Sequence, residues 1–378
     1  MALERISAVT FATGENESRV VVIDVAGDSL YSGLNTPPNI RITKVRLSDM
    51  TEIGPLTLTS SYNLAISCAV IDAAGGFAYF GNGGSGSIAN IPFVHKVRLS
   101  DYTVVGSAVV NYFTPRSAVI DVVAGYAYFG GLTQVVRLKL SDMTTTSLTV
   151  SGAGYLTSAA IDTAGGFAYF GDDASPAEIY KIQLSDFTVV GSALVLNTGE
   201  NNAVSAVMDA TGGFAYFGLN LSPAKIVRIK LSDFTRDAVL TLNTGENLAR
   251  AAVIDTGSGF AYFMTTTTPA IVVEVKLSDF TWNSALSLNT DENTALSGAI
   301  DTAGGFLYAG LGLNPGRIVK VKYKEVGGKI SKGQPSQAQA HGVAPSVPSQ
   351  ARGRAPVAPD FGSDVVVNVF NGPVIVRR

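Results

Sequence analysis

The stretch Ser205-Ala-Val-Met-Asp-Ala-Thr-Gly-Gly-Phe-Ala-Tyr-Phe-Gly218 decides the fold, because it occurs seven times with small changes. The other copies centre on Asp24, Asp72, Asp121, Asp162, Asp255 and Asp301, and successive centres lie 48, 49, 41, 47, 46 and 46 residues apart. Self-similarity at a period of roughly 40 to 50 residues, built from short β-type runs, marks a propeller or a solenoid.

Each unit parses into four short strands. The first closes on Ser-Ala-Val-Ile-Asp, as in Ser117–Asp121. An Asp-x-x-Gly-Gly turn follows, in which Asp accepts from nearby backbone N–H groups and Gly supplies φ > 0. The second strand is Phe-Ala-Tyr-Phe-Gly, whose period of two puts Phe77 and Tyr79 on one face and Ala78 and Phe80 on the other. A loop of variable length leads to a third strand such as Lys225–Leu231, then a tight Leu-Ser-Asp-Phe-Thr turn, then a fourth strand such as Ala238–Asn243. Four antiparallel strands per repeat, seven times, predict an all-β, seven-bladed β-propeller. The innermost strand of each blade sits where all blades converge and needs small side chains. Ala69, Ala118, Ala159, Ala206, Ala252 and Gly298 hold that slot, and Val21 departs from it.

The two ends of the array are complementary. The seventh copy, Ser297–Tyr323, lacks a fourth strand, whereas the first is preceded by Glu4–Asn16, which matches a fourth strand plus Thr-Gly-Glu-Asn. The N-terminal strand is therefore expected to complete the last blade, closing the ring and removing a free sheet edge.

On these residues the chain resembles, over about residues 4–324, the seven-bladed propellers of the YVTN/WD40-like group, in which a strand, a turn with Asp and Gly, and an aromatic strand recur in each blade. The literal Tyr-Val-Thr-Asn and Trp-Asp signatures are absent; Leu-Ser-Asp stands near where Trp-Asp would fall, and Trp282 is the only tryptophan. The resemblance implies a scaffold for binding rather than a reaction.

Composition narrows the function. Residues 329–378 carry about +4 and the remainder about −7, within a net charge of −3. An acidic head argues against nucleic acid, which needs clustered Lys and Arg. Cys68 is the only cysteine, so neither a disulfide framework nor a Cys-based zinc site is expected. The N-terminal residues hold no apolar core of signal-peptide length, and no stretch approaches the ~20 apolar residues of a membrane helix. Synthesis without a signal peptide and no membrane span are the expectations. Only His95 and His341 are available for a Ser-His-Asp arrangement, His341 lies in the tail, and His95 reads as structural. The seven Asp residues recur in every blade, which suits turns rather than one active site. No catalytic residue, metal or cofactor is expected, although paired carboxylates of a hydrolase or lyase remain a third reading.

The loops joining strands two to three, and blade to blade, lie on one rim of a propeller; the repeated turns lie on the other. On the variable rim, four inter-blade loops carry Glu15, Glu200, Glu246 and Glu292, which could hold cations or be ordinary turn chemistry. The other three carry aromatics. Tyr62, Tyr112, Phe113, Arg116 and Tyr155 are the candidate contact patch for a protein or a glycan, in the residue types favoured at recognition sites. The alternative is that these rings fold down over the blade tops.

The chain divides into a propeller, 1–326; a Pro/Gln/Ala-rich linker, 327–362; and a C-terminal β segment, 363–378. A hairpin at Asn371-Gly372 looks excluded, because Pro373 has no N–H to close it. Val365, Val367, Val369, Phe370, Val374 and Val376 are then expected to pair with another subunit by β-augmentation. The leading expectation is a structural or adhesive subunit of a larger assembly, such as a virion decoration or another extracellular particle. A free-standing protein- or glycan-binding propeller is the alternative.

Overall fold

A computed structural model of the chain describes residues 2–36, 39–58, 65–83, 93–110 and 114–325, together with the backbones of two strands, Val365–Val369 and Gly372–Val376. Seven antiparallel sheets, one per repeat, make up the first part. Their first strands are Ser18–Asp24, Ala65–Asp72, Ser117–Asp121, Leu156–Asp162, Ala203–Asp209, Ala249–Asp255 and Ala295–Asp301. Each packs beside the next, and the last returns to the first, so the seven blades close a ring. The fold is an all-β, seven-bladed propeller.

Closure runs as the complementary ends require. Glu4–Thr10 pairs antiparallel with Arg317–Lys322, from Glu4 opposite Lys322 to Thr10 opposite Arg317, and is the fourth strand of blade 7. In blade 4 the fourth strand is broken into Thr188–Val189 and Leu194–Val195.

The repeated turn works alike in all seven copies. The Oδ1 of Asp24, Asp72, Asp121, Asp162, Asp209, Asp255 and Asp301 accepts the backbone N–H three residues on, at 2.7–3.1 Å. The next residue has positive φ. It is glycine at 76–81° in blades 2 to 7, and Asp28 at 50° in blade 1.

Blades are joined by the Leu-Ser-Asp turn of one blade and the aromatic strand of the blade before it. The residue after Asp (Met50, Tyr102, Met143, Phe187, Phe234, Phe280) takes φ of 53–62°. That unusual backbone turns the side chain toward its neighbour. Phe234 meets Tyr169 at 5.8 Å between ring centres, and Phe280 meets Tyr216 at 5.5 Å. In blade 6, Tyr262 meets Tyr323 at 5.0 Å instead. The tyrosines are almost wholly buried, so each junction removes a large apolar area from water as well as stacking two rings. A third-strand cation covers most of these pairs, as Lys181 does, 5.8 Å from the centres of both Tyr169 and Phe234.

The C-terminal segment departs from expectation. Val365–Val369 and Gly372–Val376 pair with each other, from Val365 opposite Val376 to Val369 opposite Gly372. In this register Val369 faces Gly372 and Asn368 faces Pro373, and alternate pairs of an antiparallel ladder exchange no hydrogen bonds, which is where a proline fits. The missing proline donor therefore costs this ladder nothing. The backbones of both strands lie beside the first strands of the blades. The linker at 327–362 and Phe370 lie outside the described residues.

Candidate functional site

In each repeat one residue precedes the Ser (or Ala, Val, Cys) that opens the first strand's regular run. These residues are Arg19, Ser67, Arg116, Thr157, Val204, Arg250 and Leu296. In six blades a β-bulge falls there: the pairing with the second strand skips Arg19, Ser67, Thr157, Val204, Arg250 and Leu296. A bulge frees one residue from the ladder and re-aims its side chain. Because the slot lies where the innermost strand begins, it falls at the mouth of the central channel, on the rim of the variable loops.

The neighbours of this slot are nearly constant. The following Ser is buried in blades 3, 4, 5 and 7, and Ser117 and Ser205 donate to the backbone of the next blade at 2.8 and 2.7 Å. The slot itself changes in every blade but for its three arginines. Blades 3 to 6 enclose a cavity of about 190 Å³ there, lined by Arg116, Thr157, Asp173, Asn202, Val204, Asn220 and Arg250. Arg250 is half-buried with its Nε shielded from solvent. Burial, and then the like charges of Arg19 and Arg116, hold Arg250 below the usual arginine range. Two guanidinium-bearing residues, from blades 3 and 6, thus line one cavity.

Two of the five candidate patch residues meet. The Arg116 guanidinium lies 4.1 Å from the centre of the Tyr155 ring, and the Tyr155 N–H donates to Asp173 at 2.9 Å. Both side chains are half-buried, so the ring covers part of blade 4 while presenting Arg116 at the mouth. Tyr62, Tyr112 and Phe113 lie outside the described residues. The remainder of the mouth was missed by sequence reasoning. Lining the repeats up on their Asp and reading five residues back would have revealed Arg19 and Arg250.

The acidic loops have a different role. Glu15, Glu200, Glu246 and Glu292 are buried, and the last three each accept a backbone N–H of their own loop at 2.9–3.0 Å. Each also contacts the following blade. Arg236 donates Nη2 and Nε to Glu200 at 2.5 and 2.8 Å, Trp282 donates Nε1 to Glu246 at 3.1 Å, and Arg5 donates Nη2 and Nε to Glu292 at 2.5 and 2.8 Å. Burial opposes charge on Glu200, but Arg236 outweighs it and draws the carboxyl below its usual range. In these three loops the carboxylates are engaged as clasps between blades.

At the ring seam the clasp changes sign. Where the other blades offer Arg or Trp, blade 1 offers Glu52; the Thr43 hydroxyl donates to Glu15 at 2.7 Å and lies 3.1 Å from Glu52. Burial, and then the Glu52 carboxyl, push Glu15 up to about 7.

His95 is buried, with Nδ1 2.8 Å from the Ser107 hydroxyl, and burial pushes it down to about 4. Cys68 is fully buried and its thiol is pushed up by that burial. Among the described residues no three His, Cys, Asp or Glu side chains are arranged to hold a metal ion. The chain matches no protein-family model, and a search of curated proteins returns no match.

Proposed function

We propose that the chain is a non-enzymatic binding propeller, a structural or adhesive subunit that meets a protein or glycan partner on the rim of its variable loops. One observation carries this reading. Within repeats held nearly constant by their turns, ring junctions and clasps, the bulged slot at the channel mouth varies. A position that served only the fold would repeat as its neighbours do. Arg116 stacked on Tyr155 beside a polar cavity supplies the rigid aromatic and the fork of donors that recognition favours. The likeness to YVTN/WD40-like propellers supports the same reading, as scaffolds whose loops carry function.

The test is binding of the full chain to a glycan array and to co-purifying particles, repeated with Arg116→Ala and Tyr155→Ala. Loss of the bound glycan or particle in variants that still melt cooperatively supports the rim; unchanged binding sinks it.

The reading includes attachment to a larger assembly, of which a virion is one form, through the C-terminal segment. Because that segment pairs with itself beside the blades, a second role, serving its own ring, is also in play. Removing residues 327–378 separates the two. Loss of incorporation at an unchanged melting temperature supports the anchor. A lowered melting temperature with incorporation intact assigns the hairpin to its own ring.

A further inference from the structure

We propose that the central channel is a docking site for a β-hairpin, and that its occupant is the chain's own C-terminal hairpin, Val365–Val369 with Gly372–Val376, which plugs the ring from within. The rim of variable loops plays no part in it.

The channel offers seven open sheet edges. In every blade the first strand pairs with the second alone and ends its sheet, so its other edge turns a row of backbone donors and acceptors toward the axis. Between them, the two strands of the hairpin lie beside all seven. Val365–Val369 runs beside the first strands of blades 7, 1, 2, 6 and 3, and Gly372–Val376 beside those of blades 5, 3, 4 and 6. Only a segment within the channel meets the innermost strand of every blade. Its length fits as well: each hairpin strand has five residues, as Ser117–Asp121 does, or ~17 Å of extended chain. The hairpin's ladder is internal, and no blade counts it as a strand. The ring is complete without it, closed by Glu4–Thr10. Seat and occupant are therefore separable parts.

The sequence of the hairpin suits enclosure. Val-Val-Val-Asn-Val and Gly-Pro-Val-Ile-Val carry apolar residues at successive positions rather than alternate ones. Such runs belong to strands covered on both faces. A two-stranded hairpin is marginal in water on its own, and a wall of seven strands supplies the missing cover. Charge favours the same seat, since residues 329–378 carry about +4 and the remainder about −7. Residues 326–364, 39 in all, connect the last blade to the hairpin and span up to ~130 Å when extended, ample to reach the channel. While seated, the hairpin denies the channel to any other ligand, and a partner that takes the tail must first draw it out.

The test uses the full chain with a site for a sequence-specific protease inserted after Gln350, so that cutting leaves the hairpin held by contacts alone. The fragment beginning at Ala351 is expected to stay with the propeller on size exclusion, at the elution volume of the uncut monomer. Its amides in Val365–Val369 are expected to exchange hydrogen about 100-fold more slowly than those of a synthetic peptide of residues 351–378. Val367→Asp puts a charge into the apolar run and is expected to release the fragment on cutting, while the ring still melts cooperatively. Val374→Asp repeats the test from the other strand should the first variant fail to express. The labelled peptide is expected to bind the cut Val367→Asp chain, and to bind the uncut parent at least about tenfold more weakly, because a tethered hairpin already fills the seat. A fragment that leaves the parent on cutting, or exchanges as the free peptide does, overturns the plug. Equal binding of the peptide to the uncut parent and to the vacated chain overturns the channel as its seat. A full chain that elutes as a dimer and becomes monomeric on cutting overturns the assignment to its own ring, since the hairpin then seats in a second copy.

Discussion

Side chains at single positions show how far the repeats are tuned to one another. Blade 6 departs twice from the common pattern, with Ala251 where most blades have Ser and Met264 where the other six close the aromatic strand on Gly, and these two residues face each other in the ladder. The space left by the missing hydroxyl is filled by the longer side chain. Met264 then reaches blade 7, where Gly298 replaces the usual Ala; a Cβ there would sit 2.6 Å from the Met264 Cε. Glu52 is the opposite case, a substitution left uncompensated. Glu15 is held above its unfolded value of 4.5, so its contribution to stability is complete below about 4.5 and is lost as pH rises through about 7. Glu52→Arg, which copies the clasps of blades 5 and 7, is expected to add about 1–2 kcal/mol at pH 8 and much less at pH 5. Thermal melts at the two pH values check this, and an equal gain at both would count against a shared proton. None of it was legible in sequence, because the clasp joins residues tens of positions apart and only the ring brings them together.

Among the elements, strands and their turns were readable because each repeat spells out its own local chemistry: period-two alternation, Asp before Gly, a tight polar turn. Junctions between blades were not. The aromatic after Leu-Ser-Asp looks like part of a turn, yet its positive φ sends it into the preceding blade. Phe280→Ala should therefore cost about 3 kcal/mol, as for a core ring removed, although its residue lies in a surface turn. Urea denaturation measures it; a loss below about 1 kcal/mol would show that the Tyr216 contact adds little. The C-terminal hairpin was misread for a related reason. A one-residue shift of register decides whether Pro373 breaks a ladder or sits harmlessly in it, and composition alone does not place the register. Arg19 and Arg250 escaped notice because a bulge carries no residue signature; only comparison between blades exposes it.

For the whole molecule, ring closure was legible because two irregular ends cancel. It also concentrates risk. Deleting residues 1–10 strips Arg317–Lys322 of its partner and removes Arg5 from the fully buried Glu292. The expected result is a species larger than the full chain on size exclusion, as the open edge finds other strands, and a melt that is broader and lower. A deletion that keeps its size and cooperativity would mean that three strands suffice for the last blade.

The same closure has a consequence in time. Glu4–Thr10 leaves the ribosome before any of the seven first strands, yet its partner is made roughly 310 residues later. At ~5–20 residues per second, the strand waits on the order of 15–60 s before it can dock. Through that interval it must avoid the completed blades, and Glu4, Arg5, Ser7 and Thr10 keep it soluble while it does. A permuted gene that moves this strand to the far end of the propeller would abolish the wait, and the last blade would then close as soon as its own strands are made.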